Sequence, residues 1–196
     1  PEIVANFTTQ GTVTKTAASQ TGLPEGIPIT YRAGDQPNNA LSLNILRNGE
    51  VAVTGGTSGV IYAVTNNTNS KEVSRINNFA HVNYNAAMPS VGKLLCINGA
   101  GIMYRWLRNQ SGDDSYEVMN LQAGKVDIGS DGLSIIPFGN GAERMLDNKN
   151  IGTQFCNINL NKHSKGHLYR AALEGIAFSF VYGMEILKND NAVINV

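Results

Sequence analysis

No stretch of the sequence approaches the roughly 20 apolar residues that cross a bilayer, and its start carries neither a basic cluster nor an apolar run of signal-peptide type. A membrane partner is not expected, and a cytoplasmic setting is. Cysteine is nearly absent: Cys96 and Cys156 lie far apart, with no CxxC or Cys/His ligand spacing. A zinc site or disulfide framework is thereby excluded, and both read as reduced thiols. Charge is sparse and balanced, 15 Lys plus Arg against 15 Asp plus Glu for a formal net charge of zero. Such a chain has no overall field to draw in a polyanion, so nucleic acid is not an expected partner.

Several motifs are also missing. There is no GxxxxGK[ST], and Tyr104 stands where a dinucleotide fingerprint beginning at Gly99 and Gly101 would need its third glycine, which disfavours Walker and Rossmann sites. His163 and His167 are four apart, but no glutamate intervenes and no third ligand is evident. They read as polar groups at a helix start, and no metal site is assigned. His81 reads as a satisfied histidine. Asn6, Asn66 and Asn109 head Asn-x-Thr/Ser triplets, which arise readily by chance in an asparagine-rich chain and do not imply secretion. No internal repeat or low-complexity tract is visible.

What is present suits one globular, soluble domain: 196 residues, 42% of them hydrophobic. The first residue is Pro1 rather than Met, which suggests a piece of a longer or processed polypeptide. Residues 1–26 read as an irregular leading segment ending in the turn-prone Gly22-Leu23-Pro24-Glu25-Gly26, with regular structure beginning afterwards. A strand at 27–31 runs into a loop at Ala33-Gly34-Asp35-Gln36, and apolar spacing predicts a helix over 38–46 closing at Asn48-Gly49. Strands at 50–54 and 60–64 flank Gly55-Gly56-Thr57-Ser58-Gly59, with further strands near 79–84 and 93–97.

The spacing over 100–109 predicts a helix with Ile102, Met103, Trp106 and Leu107 on one face, Trp106 being read as core. A helical piece at 116–121, a strand at 133–138 and a loop at 140–153 follow. Ser164 then caps a long amphipathic helix over 165–188, striped by Leu168, Ala171, Ala172, Ile176, Ser179 and Gly183. Strands followed by helices in this order predict an α/β or α+β layer on a central sheet.

Three glycine-bearing pieces could carry chemistry: Gly34-Asp35-Gln36, the turn 55–59, and Gly99-Ala100-Gly101 opening a helix. Glycine turns let backbone N–H groups converge on an anion, and a helix N-terminus adds a favourable dipole, which together suit a polyphosphate. The same glycines also serve plain turn geometry. Asp35 fits a general base that reaches a substrate hydroxyl, and equally a turn aspartate bonded to its own backbone. Spacing alone leaves both pairs of readings open.

The run Gly22-Leu23-Pro24-Glu25-Gly26-Ile27-Pro28, Ala33-Gly34-Asp35-Gln36, Gly49-Glu50-Val51 and Gly56-Thr57-Ser58-Gly59 resembles, in order and spacing, the opening of the second lobe of FGGY carbohydrate kinases, xylulose kinases above all. The likeness continues through Gly101 with Trp106-Leu107-Arg108, Gly132-Leu133 to Pro137, Gly141-Ala142-Glu143-Arg144, and His167 to Ala177, so it spans nearly the whole chain. The resemblance implies an α/β fold of the ribonuclease-H-like, actin-like ATPase kind, with a mixed central sheet flanked by helices. It also implies ATP and Mg2+ as cofactors, Asp35 as the catalytic base, Gly56, Thr57 and Ser58 beside the β- and γ-phosphates, and Gly101 by the nucleotide phosphates or ribose.

The implied reaction is ATP-dependent phosphorylation of a ketose, D-xylulose to D-xylulose 5-phosphate; kinases for ribulose, glycerol and other polyols share the lobe. The alternative is a catalytically silent family member acting as a regulatory or binding domain. No counterpart of the first lobe, which makes most sugar contacts, and no Gly-Gly adenine motif is found. Residues 1–196 therefore read as a second lobe whose core, 27–196, is incomplete at its C-terminus. A homodimer is a further expectation from the resemblance. Two departures stand out: Met145-Leu146 replace the Thr-Pro of the xylulose kinase GERTP segment, and Thr153 and Asn157 occupy positions where the family signature has a small residue and a glycine.

Overall fold

The computed structural model describes residues 4–112 and 115–195. Its centre is a four-stranded sheet of β3 (Val51–Gly55), β4 (Gly59–Thr65), β5 (Ile76–Ala80) and β6 (Val91–Ile97), in the order β3-β4-β6-β5. Before it come β1 (Gly11–Thr12), α1 (Lys15–Thr21), β2 (Pro28–Ile29) and α2 (Asp35–Ser42). After it come α3 (Gly101–Gln110), α4 (Tyr116–Gly124), β7 (Ser134–Ile136), β8 (Gln154–Cys156) and the long α5 (Lys165–Asn189). Every ladder of the four-stranded sheet is antiparallel. Short connections such as the turn between β3 and β4 permit nothing else, since parallel neighbours need a long crossover. β7, which follows the α3–α4 pair, ladders with β8 instead.

β4 and β6 are buried on both faces, and their alternation sorts the core in two. Ile61, Ala63, Leu95 and Ile97 face α5 and pack with Ile186, Leu187, Met145 and Phe138. Tyr62, Val64 and Leu94 face α2, against Ala40 and Ala52. Full burial of an Ile or Leu contributes about 1.5–3 kcal/mol, so these central positions carry much of the stability. Gly92, opposite Val64, has no side chain because the Tyr62 ring lies where one would stand. A second core joins Met103, Tyr104 and Leu107 of α3 to Met119 and Ala123 of α4, Leu133 and Ile135 at β7, and Tyr169, Ala171 and Ala172 of α5. α5 is therefore shared, and its small residues allow the approach: a side chain at Gly183 would meet Ile61 and Leu95, and one at Gly175 the Ile135 carbonyl.

The expected strands at 50–54, 60–64 and 93–97 and the long helix with its stripe are present, and the Ser164 hydroxyl and His167 ring form a capping box at the start of α5. His163 Nδ1 accepts from the Asn159 N–H at 3.0 Å, so both histidines shape this helix start. His81 is fully buried. Its Nε2 can only donate to the Ile45 carbonyl at 2.9 Å, which leaves Nδ1 to accept from the Tyr62 hydroxyl at 3.1 Å. Burial, partly opposed by that carbonyl, holds its pKa below the usual value, so it is a neutral core histidine.

Four expectations need correction. The strand expected near 79–84 lies earlier, at Ile76–Ala80, and His81–Tyr84 closes a turn through the Tyr84 N–H to the His81 carbonyl at 2.9 Å. The leading segment is not irregular throughout. Thr14 Oγ1 accepts from Ala17 N–H at one end of α1, and Gly22 in the left-handed conformation closes the other. The helix expected over 38–46 begins at Asp35, because a proline is tolerated in a first turn, where its missing N–H has no partner to lose. It stops when Asn44 turns left-handed at φ 57°, well before Gly49. Trp106 is 49% exposed; the buried arc of α3 runs through Met103, Tyr104 and Leu107 and leaves it at the rim.

The C-terminus of α5 is anchored by a fully buried ion pair. Lys93 Nζ donates to Asp190 Oδ2 at 2.6 Å and to the carbonyls of Asp190 and Asn69, each at 2.7 Å. The carboxylate also accepts from Ser70 Oγ and from the N–H groups of Lys71 and Glu72. Burial opposes the Asp190 charge, but the ammonium and these donors outweigh it and hold the carboxyl below its usual range. Lys93→Met, which strands the carboxylate, is expected to cost about 3–5 kcal/mol in urea unfolding. Because the folded pKa is depressed, the stabilisation by Asp190 is complete above about pH 4 and is lost as pH falls through the folded value. The stability gap between wild type and Asp190→Asn should therefore narrow below about pH 4 in thermal melts.

Candidate functional site

The turn between β3 and β4 and the start of α3 meet through their backbones. Gly55 pairs with Gly59, and Gly56 N–H donates to the Ser58 carbonyl at 2.9 Å, closing the turn. Gly101 N–H and Ile102 N–H then donate to the carbonyls of Gly56 and Thr57, each at 3.0 Å. A side chain at Gly101 would run into the Gly56 carbonyl, so this approach admits only glycine. Two of the three glycine pieces are thus brought together, with one change to the expected chemistry. The first N–H groups of α3 are already satisfied by the turn and do not stand open to an anion.

What the turn offers instead is hydroxyls and space. Thr57 and Ser58 are exposed, and neither hydroxyl has a hydrogen-bond partner among the described residues. Thr57 lines a groove of about 310 Å3 together with Gly55, Gly56, Gly101, Tyr104, Arg105 and Tyr116. Arg105 is exposed, sits one turn along from Gly101 on the same side of α3, and is the cation of this groove; its i, i+4 spacing from Gly101 was the available signal. Tyr104 donates to Asn120 Oδ1 at 2.8 Å, and burial pushes its phenol up to about 12, so this wall stays neutral. On the other side of α3 an apolar cavity of about 410 Å3 lies between Trp106, Phe155, Ile102 and Pro137.

Asp35 is the first residue of α2, not a loop residue. It is exposed, and its Oδ1 accepts the Gln36 N–H at 2.8 Å, which leaves Oδ2 without a partner among the described residues. The positive end of the helix favours its charge. One turn later Asn39 Nδ2 donates to Thr54 Oγ1 at 3.0 Å, tying this helix to the strand that delivers the glycine turn. The Asp35 field also reaches Cys96 near the end of β6, whose thiol is raised chiefly by burial, lowered by Arg144, and raised further by Glu143 and Asp35. A cleft of about 510 Å3 opens beside the start of α2, lined by Gly34, Pro37, Arg32, Gln10 and Phe79.

One residue that spacing could not single out is Glu143, in the segment expected to be a loop. It is 1% exposed, and its carboxylate accepts backbone N–H groups from Asn98 and Gly99, immediately before α3. Among the described residues no three His, Cys, Asp or Glu side chains are grouped to hold a metal.

Comparison with known proteins gives this geometry a context. The profile described as the FGGY family of carbohydrate kinases, C-terminal domain, matches residues 51–196. A gluconokinase of Bacillus subtilis is 31% identical over 173 residues, 83% of this chain and 33% of the relative. A xylulose kinase of Haemophilus influenzae is 26% identical over 96% of this chain and 37% of its own length. The crystal structure of xylulose kinase from Rhodospirillum rubrum superposes on the whole chain with a TM-score of 0.85 at 27% identity, covering 38% of that protein. The chain thus spans between a third and two fifths of the length of the relatives it matches.

Gly101→Ala should separate the turn from α3. Its methyl has no room against the Gly56 carbonyl, and about 1–3 kcal/mol of stability is expected to be lost in denaturant unfolding, with faster amide exchange at Gly101 and Ile102. Gly124→Ala, at an open position within α4, should be neutral or stabilising by up to about 1 kcal/mol.

Proposed function

Because the chain belongs to the FGGY family of carbohydrate kinases, which carries the actin-like ATPase fold, we propose that it forms the C-terminal lobe of a two-lobed kinase that transfers the γ-phosphoryl group of ATP to a sugar hydroxyl. The observation that carries this reading is the pairing of an exposed, half-engaged Asp35 carboxylate with a turn of free hydroxyls, Thr57 and Ser58, the two linked through Asn39 and Thr54. Asp35 Oδ2 accepts the proton of the attacking hydroxyl. The sugar oxygen forms its bond to the γ-phosphorus as the bond to the bridging oxygen breaks, and ADP leaves with that electron pair.

The groove fits the co-substrate. Gly55 and Gly56 leave room for close backbone approach, Thr57 offers a hydrogen bond to the β- and γ-phosphates with the exposed Ser58 next to it on the turn, and Arg105 supplies a positive charge. Mg2+, when bound, neutralises phosphate charge. Holding hydroxyl and phosphorus in line is the larger share of such catalysis, and in a two-lobed enzyme it falls to lobe closure. Most contacts that select the sugar are assigned to the other lobe. D-Xylulose is the first acceptor to test, and the 31% identical gluconokinase makes gluconate the second.

The test is ADP release by the two-lobed protein with MgATP and a panel of ketoses, polyols and sugar acids. Sugar-dependent turnover is expected, and Asp35→Asn should lower kcat by roughly 10²–10⁴-fold with little change in either KM. The 196-residue chain alone should show none. Absence of turnover with every sugar in the two-lobed protein would point to a catalytically silent member, and robust turnover by the chain alone would refute the division of labour between lobes.

A further inference from the structure

We propose that Glu143 is a positioning residue for the phosphate-facing turn. Its buried carboxylate grips the backbone that leads into α3 and through it seats Gly101 and Ile102 on Gly56 and Thr57. This rests on the reading of that turn given above. Oε2 accepts from Asn98 N–H at 2.9 Å and Gly99 N–H at 3.0 Å, and Oε1 from Asn98 N–H at 3.1 Å and Met145 N–H at 3.4 Å. No lysine or arginine pairs with it among the described residues, so this buried charge is satisfied by peptide N–H groups.

A carboxylate beside a site for polyphosphate repels that ligand, which excludes attraction of substrate as the reason for its presence. What it gives is geometry. Gly99 lies so close to the Pro137 carbonyl and the Phe138 backbone that no side chain fits. Ala100, at φ −102° and ψ −114°, is neither helical nor extended. The course of the chain from β6 into α3 is therefore set by what grips its two sides. Upstream that grip is Glu143, and downstream it is the pair of hydrogen bonds to the glycine turn.

The glutamate is itself held. Met145 is fully buried in the main core, Asn98 Nδ2 donates to the Ala142 carbonyl at 2.6 Å, and Arg144 donates to Asn77 Oδ1 at 2.6 Å and to the Ser74 carbonyl at 3.2 Å. A carboxylate suits this role and an amide does not. It accepts at both oxygens, whereas a glutamine would turn an NH2 toward one of these N–H donors.

The variant is Glu143→Gln, with Tyr62→Phe as the control, since the latter removes a buried hydrogen bond to His81 on the opposite face of the sheet. Two measurements are made: amide exchange of the unliganded chain, and kinetics of the two-lobed protein. In Glu143→Gln, exchange at Asn98, Gly99, Gly101 and Ile102 should quicken about tenfold or more, the effect of losing one charged hydrogen bond. KM for MgATP should rise by a similar factor while KM for the sugar stays within about twofold. Tyr62→Phe should lower Tm without either change. Unaltered exchange at 98–102, or a rise in both KM values together, would overturn the proposal. Wild-type protein without turnover would sink the kinase reading instead, and the exchange result would still decide whether Glu143 holds this backbone.

Discussion

Two backbone hydrogen bonds, from Gly101 and Ile102 to Gly56 and Thr57, join the sheet half of the molecule to its helical half at the turn where we propose that nucleotide binds. The two cores are otherwise separate clusters that share α5. A packed interior admits discrete arrangements and few intermediate ones, so a side chain at position 101 could not be absorbed by a small shift of the turn. The constraint also bears on the proposed chemistry. Because it consumes the N–H groups of Gly101 and Ile102, the proposed reading assigns the anion to the hydroxyls of Thr57 and Ser58 and to Arg105.

α5 keeps the joint in register. Its N-terminal half packs in the helical core through Tyr169 and Ala172, and its C-terminal half lies on the sheet through Ile186 and Leu187. The Lys93–Asp190 pair then fixes where along the sheet it ends. A buried ion pair adds little net stability over a well-packed apolar pair. Its contribution here is specificity: all three ammonium donors are used on one carboxylate and two carbonyls, an arrangement that a helix slid by one residue could not reproduce.

Much of this was legible in the sequence, and the limits have physical causes. β3, β4 and β6 could be read because β-rich runs flank glycine punctuation, and α5 because its small residues recur at helical spacing. The start of α2 is hidden because Gly34-Asp35-Gln36-Pro37 reads as a loop until proline's tolerance in a first turn is applied, and its end because Asn44, rather than glycine, takes the left-handed conformation. α1 buries none of its residues, so only Thr14 and Gly22 at its ends signal it. Asp35, Gly56, Thr57, Ser58 and Gly101 were visible as candidates through short-range pattern. Glu143 was visible only as part of a family segment. Its partners ahead of α3, Asn98 and Gly99, lie 45 and 44 residues away, and no local period encodes a contact that only the tertiary fold creates.

The departures at Thr153 and Asn157 show how such a segment can change without disturbing the site. Asn157 has φ 62°, so the left-handed conformation that a glycine would adopt is kept, and asparagine reaches that region at less cost than most residues with a side chain. The larger Thr153 is accommodated from the other side: its hydroxyl lies where a side chain on Gly139 would otherwise stand. Both changes are thus met within the segments around β7 and β8. Asp35 and the glycine turn are held through the Asn39–Thr54 hydrogen bond and the backbone bonds of Gly101 and Ile102, and neither Thr153 nor Asn157 takes part in any of these. The substitutions are local in their effects because the glycine that makes room for Thr153 is not one of those that bring the turn and helix together.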